Sequence, residues 1–156
     1  MADIMDRTRA ALEGHLDLDE GLLAASQAQF AGGTMRLASR IGGGVAGGAL
    51  GMVVATAMTD ADDLEARLAN GLVIAVTDHR VVLLEVSAVS ARPKAPVASI
   101  ERSRIRGVTA GETRVMLVKL PTLALTLDDP DGPTLRFEIP KTARRDIDAV
   151  RVALGG

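Results

Sequence analysis

Few residues in this chain could do chemistry, and they stand far apart in the sequence. There are two histidines, His15 and His79, and no cysteine. Neither histidine has neighbours at the spacing of a metal site, and no acid, base and nucleophile recur as a set. His79 is therefore interpreted as a plain hairpin residue. The sequence predicts no catalytic residue, no metal ligand and no cofactor, and we expect a protein that is not an enzyme.

Two runs resemble ligand-binding motifs but lack their defining residues. Asp128, Asp129 and Asp131 stand in DDPDGP, which has neither the spaced ligands nor the terminal Glu of a calcium loop and is typical of a solvated turn. The run GGGVAGGALG lacks the Gly-Lys-Ser/Thr ending of a phosphate-binding loop. Both runs are therefore interpreted as structural segments and not as a calcium site or a phosphate-binding loop.

A group of cations forms the candidate anion-binding site. Three of them alternate in RSRIRG and would line one face of an extended strand, and two more stand in the preceding loop. Pairing with Glu101 and Glu112 would instead make this a solvated strand face, which is the interpretation that the sequence favours. The candidate residues are Arg102, Arg104, Arg106, Arg92 and Lys94.

The segment 41–58, IGGGVAGGALGMVVATAM, contains no charged residue and has glycines at four-residue spacing. In a helix this spacing leaves a strip of bare backbone on one side. Each glycine destabilises a helix by roughly 1 kcal/mol relative to alanine, so another surface must pack against the strip. The residues of this candidate oligomer or membrane interface are Gly43, Gly44, Gly47, Gly48, Gly51, Val45, Met52 and Val53.

The sequence leaves the packing partner of segment 41–58 open. At about 1.5 Å per residue its length approaches the ~30 Å of a bilayer core, so a membrane partner is geometrically feasible. A helix of the same chain or a second subunit would serve equally well. Acidic residues follow the segment, and 60–70 is predicted to be a short helix ending at Asn70-Gly71.

Composition excludes several classes of partner. The formal net charge is −2, with two Phe and neither Trp nor Tyr, so the chain lacks both the basic field and the aromatic rings of a nucleic-acid binder. The N-terminus mixes acids and bases before any apolar run and does not resemble a secretory signal. We expect a cytoplasmic protein, or one at the inner face of the membrane.

Alternating and apolar runs after residue 70 predict six β-strands followed by a helix. The strand patterns are LVIAVT, HRVVLLEVS, PVASIE, RVMLVKL, TLALTLDD and TLRFEIP. Asp78-His79 is the tight link between the first two, and 109–112 is predicted to be a hairpin turn. The final helix, KTARRDIDAVRVAL, carries an apolar stripe of Ala143, Ile147, Val150 and Leu154.

The region before residue 31 is predicted to contain a helix and a strand. A short helix runs from Asp3 to about His15, where Gly14 and the following aspartates stop it. The run GLLAASQAQF, residues 21–30, is compatible with strand or helix and is interpreted as a first strand because of its position.

This order of elements resembles the pleckstrin-homology (PH) superfold. GLVIAVTDHRVVLLE and PVASIERSRIRGV look like the strand pairs of bacterial PH-like and GRAM-like domains. The resemblance implies an α+β fold, namely a PH-like β-barrel of about seven antiparallel strands capped by a C-terminal helix. An N-terminal helix would occupy 1–20 and the domain 21–154, with a glycine-rich helical insert at 33–70 between the first two strands.

The resemblance implies a binding or scaffold module. PH-type relatives often hold anionic lipid headgroups with a basic loop between the first two strands. Here that interval contains Arg36, Arg40 and Arg67 and no basic cluster, so headgroup recognition is not carried over. We expect a homo-oligomer, or a module with a membrane or protein partner, that associates through 41–58. The alternative is a peripheral anionic-lipid binder that uses the arginine-lined face.

Overall fold

The computed structural model describes residues 3–30, 71–87, 89–90, 92–115, 117–128 and 134–155. These residues form two α-helices and seven β-strands, with 3₁₀ turns at Arg102–Arg104 and Lys141–Ala143. In chain order the elements are α1 (Ile4–Ala11), β1 (Leu22–Phe30), β2 (Leu72–Thr77), β3 (Arg80–Val86), β4 (Pro93–Glu101), β5 (Ile105–Val115), β6 (Val118–Leu127), β7 (Thr134–Glu138) and α2 (Arg144–Ala153).

The strands form one antiparallel sheet in the order β4-β3-β2-β1-β7-β6-β5. Strand β1 joins its two halves, because its first part pairs with β2 and its end, Gln29 and Phe30, pairs with β7. The expected barrel is not closed, since the edge strands β4 and β5 form no ladder within the described ranges. The strand number, the antiparallel pairing and the C-terminal helix are those predicted for a PH-like fold.

The main core lies between the two halves of the sheet and α2. In β6 the leucines Leu123, Leu125 and Leu127 are buried while the intervening residues are partly exposed, as the period of two predicts. Ile147 and Val150 of α2 complete the same cluster. One continuous core therefore joins strands from both halves, which requires the sheet to fold over on itself.

Helix α1 covers the outer face of the first half of the sheet. Asp3 caps its N-terminus by accepting the Asp6 N–H at 2.9 Å. Leu12, at its C-terminal end, is fully buried against Val73 and Val82. Strands β2 and β3 thus have an apolar partner on each face, which confirms the interpretation of their continuous apolar runs as central strands.

The predicted hairpin turn at 109–112 is wrong, because β5 runs through these residues and pairs with β6 from Ile105 to Val115. A Cβ on Gly111 would stand 3.2 Å from the Thr122 hydroxyl, so the glycine serves close cross-strand approach and not a turn. The β5–β6 ladder ends with the pair Val115 and Val118, so the chain reverses beyond that pair. Cross-strand pairing along β5 outweighs the local turn preference of Thr-Ala-Gly-Glu.

Two other segments differ from the sequence interpretation. Strand β4 begins at Pro93, inside the expected loop ARPKAP, and accommodates Pro93 and Pro96 because it is an edge strand with two register shifts. Residues Arg102–Arg104 form a 3₁₀ turn in place of an extended strand.

Several predicted features fall outside the described residues, namely the helices at 41–58 and 60–70 and the turn within 129–133. The boundaries of the insert at 33–70 therefore stay a prediction. Among the helices that the structure describes, none has the length and apolar character needed to cross a membrane.

Candidate functional site

The β2–β3 turn is built around the hydroxyl of Thr77. Thr77 Oγ1 accepts hydrogen bonds from the backbone N–H of His79 at 3.1 Å and of Arg80 at 2.9 Å. Asp78 Oδ1 accepts the Gly21 N–H at 3.0 Å. The Thr-Asp-His-Arg sequence thus closes a two-residue turn and ties it to the start of β1, so Thr77 and Asp78 serve the structure here.

Beside this turn lies a buried ion pair that the sequence analysis did not anticipate. Arg80 Nε donates to Glu20 Oε2 at 2.9 Å, and Arg80 Nη2 donates to Glu20 Oε1 at 3.2 Å. The Glu20 side chain has no exposed surface, whereas that of Arg80 is 27% exposed. The two residues are 60 positions apart. The bidentate pair therefore fastens the segment before β1 to the β2–β3 turn.

The hydrogen bonds around Glu20 change its acidity. Burial alone raises the pKa of the Glu20 carboxyl, but the hydrogen bonds from Arg80, Thr77 and the Asp17 N–H, together with the Arg80 charge, lower it to about 2. Thr77 Oγ1 donates to Glu20 Oε2 at 2.6 Å. Glu20 is thus ionised at neutral pH, and both its oxygens already accept hydrogen bonds, which suits a structural anion and not a general base.

His79 lies at the edge of this cluster, half-exposed among carboxylates. Its ring nitrogens lie 3.8 Å from Asp17 Oδ2, 3.9 Å from Asp19 Oδ2 and 4.0 Å from Asp78 Oδ1. Asp17, Glu20 and His79 each offer an atom within 4.8 Å of the other two. A cation bound there would have to displace Arg80 from Glu20, so we do not assign a metal site to this group.

The structure separates the five cations of the candidate anion site. Arg92 and Lys94 stand at the start of β4, and Arg102 follows its end, eight residues and about 26 Å of extended chain beyond Lys94. The fold therefore does not bring the preceding loop to the arginines. Arg102 donates to the carbonyl of Ala153 at 2.8 Å and so caps the C-terminus of α2.

Arg102 and Arg106 still share one cavity. It has a volume of about 220 Å³ and lies between the start of β5 and the end of α2, with Gly107 and Gly155 contributing to its wall. Since Arg102 also donates to backbone carbonyls, Arg106 is the more available cation. Anion binding by these residues stays a prediction.

A larger groove lies on the outer face of the second half of the sheet. Its volume is about 490 Å³, and it is lined by side chains of β5, β6 and β7, many of them threonines. Arg136 and Glu138 stand at its β7 side, and Glu138 accepts a hydrogen bond from Gln29 at 3.2 Å. The groove presents hydroxyls and small residues, and its described lining includes no histidine, so its chemistry suits binding and not proton transfer.

The glycines and apolar residues of the predicted interface within 41–58 lie outside the described residues. The structure does give the position of the strands that flank this stretch, because Ala28 of β1 pairs with Leu72 of β2. No sequence signal identified Glu20 as the partner of Arg80, since a lone glutamate before a glycine has no local pattern.

Comparisons with known proteins give one likeness of fold. No protein-family model matches the chain, and no curated protein matches it. A crystal structure of a pleckstrin homology domain from Shewanella amazonensis is similar, with a TM-score of 0.49 and 12% sequence identity, over 97% of this chain and 99% of that one. No ligand and no site is carried over from that likeness.

Proposed function

We propose that this protein is a non-catalytic binding module that associates through residues 41–58 with a second copy of itself or with a membrane. The observation that carries the proposal is the charge-free run with glycines at positions 43, 47 and 51. Such a strip permits close backbone contact and requires a partner surface to compensate for its low helix propensity.

The fold around this stretch is compatible with an associating role. Strand β1 ends at Phe30 and β2 begins at Leu72, and the two strands pair with each other next to these ends. The β1–β2 ladder thus forms from residues on either side of 31–70. A role for 41–58 in association is therefore compatible with an intact sheet.

The hydrogen-bonded charges of the described region also favour a binding module over an enzyme. Glu20 and Arg80 satisfy each other, and Arg102 caps α2. These groups are committed to holding the fold, while the open surfaces are a threonine-rich groove and an arginine-lined cavity. Such surfaces are suited to recognition.

The experiment is a pair of matched substitutions in the full chain. Gly47→Leu places bulk on the glycine strip, whereas Ala49→Leu places the same bulk on the opposite side of the predicted helix. We expect Gly47→Leu to abolish assembly or membrane retention and Ala49→Leu to retain it, with the sheet folded in both. Unchanged association in Gly47→Leu would refute the proposal.

Light scattering and membrane fractionation then identify the partner. Both are applied to the full chain and to a variant lacking 41–58. A soluble oligomer that becomes a monomer on deletion identifies self-association. A membrane-bound chain that becomes soluble on deletion identifies a membrane contact.

A second candidate function is supported by the cavity that Arg102 and Arg106 share. It is the binding of an anionic lipid headgroup at this cavity by a peripheral module. Arg106→Ala should weaken salt-sensitive binding to anionic liposomes, whereas Arg92→Ala, at the far end of β4, should not. Arg106→Ala is preferable to a substitution of Arg102, because Arg102 also caps α2. Equal binding by the two variants would exclude this candidate.

A further inference from the structure

The β5–β6 hairpin extends beyond the strands that flank it. On the β6 side, the ladder with β7 covers Thr122 to Thr126, and the Ile139 N–H bonds the Pro121 carbonyl just beyond it. The last three β5–β6 pairs have no neighbouring strand among the described residues. At about 3.4 Å per residue they form a two-stranded ribbon of roughly 10 Å.

The end of this ribbon is apolar and open to solvent. Leu117, in the connection, is 95% exposed, and Val118, the first residue of β6, is 41% exposed. We call Leu117 and Val118 the hairpin tip. Two adjacent aliphatic side chains at the end of a narrow projection are placed to enter an apolar environment without any movement of the rest of the sheet.

A pair of cations lies directly behind the tip. Arg114 and Lys119 are opposite each other in the ladder, both are exposed, and neither forms an ion pair with a described residue. Like charges directly opposite each other destabilise a hairpin. Glu112, two residues from Arg114, is within 3.5 Å of Arg144. The two cations are therefore available to an external anion.

These features favour a lipid surface over a protein partner. A tip of two side chains is far smaller than the ~800 Å² per partner of a stable protein interface. Aliphatic residues next to basic ones match the two layers of an anionic bilayer, whose acyl boundary lies beneath a plane of phosphates. The chain also has no Trp or Tyr with which to stack nucleic-acid bases.

We propose that the hairpin tip inserts Leu117 into the interface of an anionic lipid bilayer, with Arg114 and Lys119 bound to lipid phosphates. This contact uses residues that the proposed function does not involve. This proposal is therefore tested independently of segment 41–58 and of the cavity beside Arg106.

The first experiment measures sedimentation of the full chain with phosphatidylcholine vesicles, with and without about 30% phosphatidylserine. Leu117→Ser should weaken binding to the anionic vesicles about tenfold, since most of one aliphatic side chain leaves the interface. Leu18→Ser is the matched control, because Leu18 is equally exposed but lies between Asp17 and Asp19. We expect the control to bind as the unchanged protein does.

The second experiment tests the cations. Neutralising both with Arg114→Gln and Lys119→Gln should weaken binding roughly thirtyfold, at about fivefold for each cation, and should flatten its salt dependence. Lys141→Gln with Arg145→Gln removes the same charge from the exposed start of α2 and the turn before it. We expect that control pair to retain binding and its salt dependence.

The third experiment detects insertion directly. The chain has no cysteine, so Leu117→Cys and Leu18→Cys each give a single labelling site for an environment-sensitive fluorophore. Anionic vesicles should shift the emission to the blue at position 117 and leave it unchanged at 18. Circular dichroism confirms that every variant is folded.

Four outcomes would overturn the proposal. These are no binding of the full chain to anionic vesicles, equal binding by Leu117→Ser and the unchanged protein, no blue shift at position 117, and loss of self-association without lipid in Leu117→Ser. The last would identify the tip as a protein contact. Unchanged self-association in Gly47→Leu would refute only the proposed function, since that variant leaves the hairpin tip intact.

Discussion

The buried pair Glu20–Arg80 leads to a quantitative prediction about stability and pH. The Glu20 carboxyl has its pKa lowered from 4.5 to about 2 in the folded protein. That difference corresponds to about 3 kcal/mol of stability at neutral pH, at 1.36 kcal/mol per pKa unit. Because water reaches part of the Arg80 side chain and screens the pair, we expect Glu20→Gln to cost about 2–3 kcal/mol at pH 7.

The direction of the pH dependence follows from the sign of the shift. Below pH 4.5 the unfolded chain binds a proton at Glu20, whereas the folded protein stays ionised until the pH nears 2. The contribution of Glu20 is therefore fully present above about pH 5 and is lost as the pH falls toward 2. Glu20→Gln has no such proton to bind, so its stability should depend less on pH in this window.

Urea unfolding at a series of pH values, from neutral to acid, measures both effects. Asp19→Asn is the control, because it removes the same charge from an exposed neighbour and should change stability by less than about 0.5 kcal/mol. A double-mutant cycle with Arg80→Met isolates the pair from the other contacts of Glu20. Stability curves for Glu20→Gln and the unchanged protein that run parallel between pH 5 and pH 2 would refute the argument.

Two further predictions test how the fold is held together. Leu12→Ala should destabilise the protein by about 2–4 kcal/mol, because it leaves a cavity between α1 and the sheet. Leu18→Ala should be nearly neutral, because Leu18 is exposed. Similar losses of stability for the two variants in urea unfolding would contradict this prediction. Gly71→Ala should cost about 1–2 kcal/mol of stability, because Gly71 has a φ of 103° and a Cβ there would lie 3.3 Å from the backbone oxygen of residue 28. Gly21→Ala is the control, since a Cβ at that position meets no atom within 4 Å. Equal melting temperatures for these two variants would count against the assigned backbone conformation.

Much of the fold could be predicted from local patterns. The alternation of Leu123, Leu125 and Leu127 identified β6 and its buried face, and the apolar runs LVIAVT and RVVLLEV identified strands covered on both sides. These predictions succeed because side chains alternate across a strand, so a single sequence records which positions meet the core. The ambiguous run at 21–30 is confirmed as β1 by its pairing with β2.

Turn positions were harder to predict where a longer pairing competed with a local preference. Thr-Ala-Gly-Glu has the composition of a turn, yet it lies inside β5 because ten cross-strand pairs with β6 fix its conformation. The reversal occurs instead within an apolar run, RVMLVKL, which carries no glycine or proline to mark it. The exposed tip was missed for the same reason, since its residues have the composition of a strand interior.

The functional interpretation of the arginines depended on an extended RSRIRG, and the structure divides these residues. Arg102 donates to the last turn of α2, Arg104 lies in a 3₁₀ turn and Arg106 belongs to β5. Equal spacing in the sequence therefore does not give one strand face, because Arg102 and Arg104 belong to the 3₁₀ turn while Arg106 follows in β5. Alternation indicates a common face only where the backbone is extended.

For this protein, the sequence by itself determined the positions of most strands and of the two described helices, which of their faces are apolar, and that a charge-free glycine run lies between the first two strands. Only the tertiary structure decided which distant groups meet: Glu20 with Arg80, Arg102 with the end of α2, and Arg114 with Lys119 behind an exposed leucine. Periodicity is a property of neighbours in the chain and can be read locally. Contacts between distant residues depend on strand order and register, which the packing of the whole core selects.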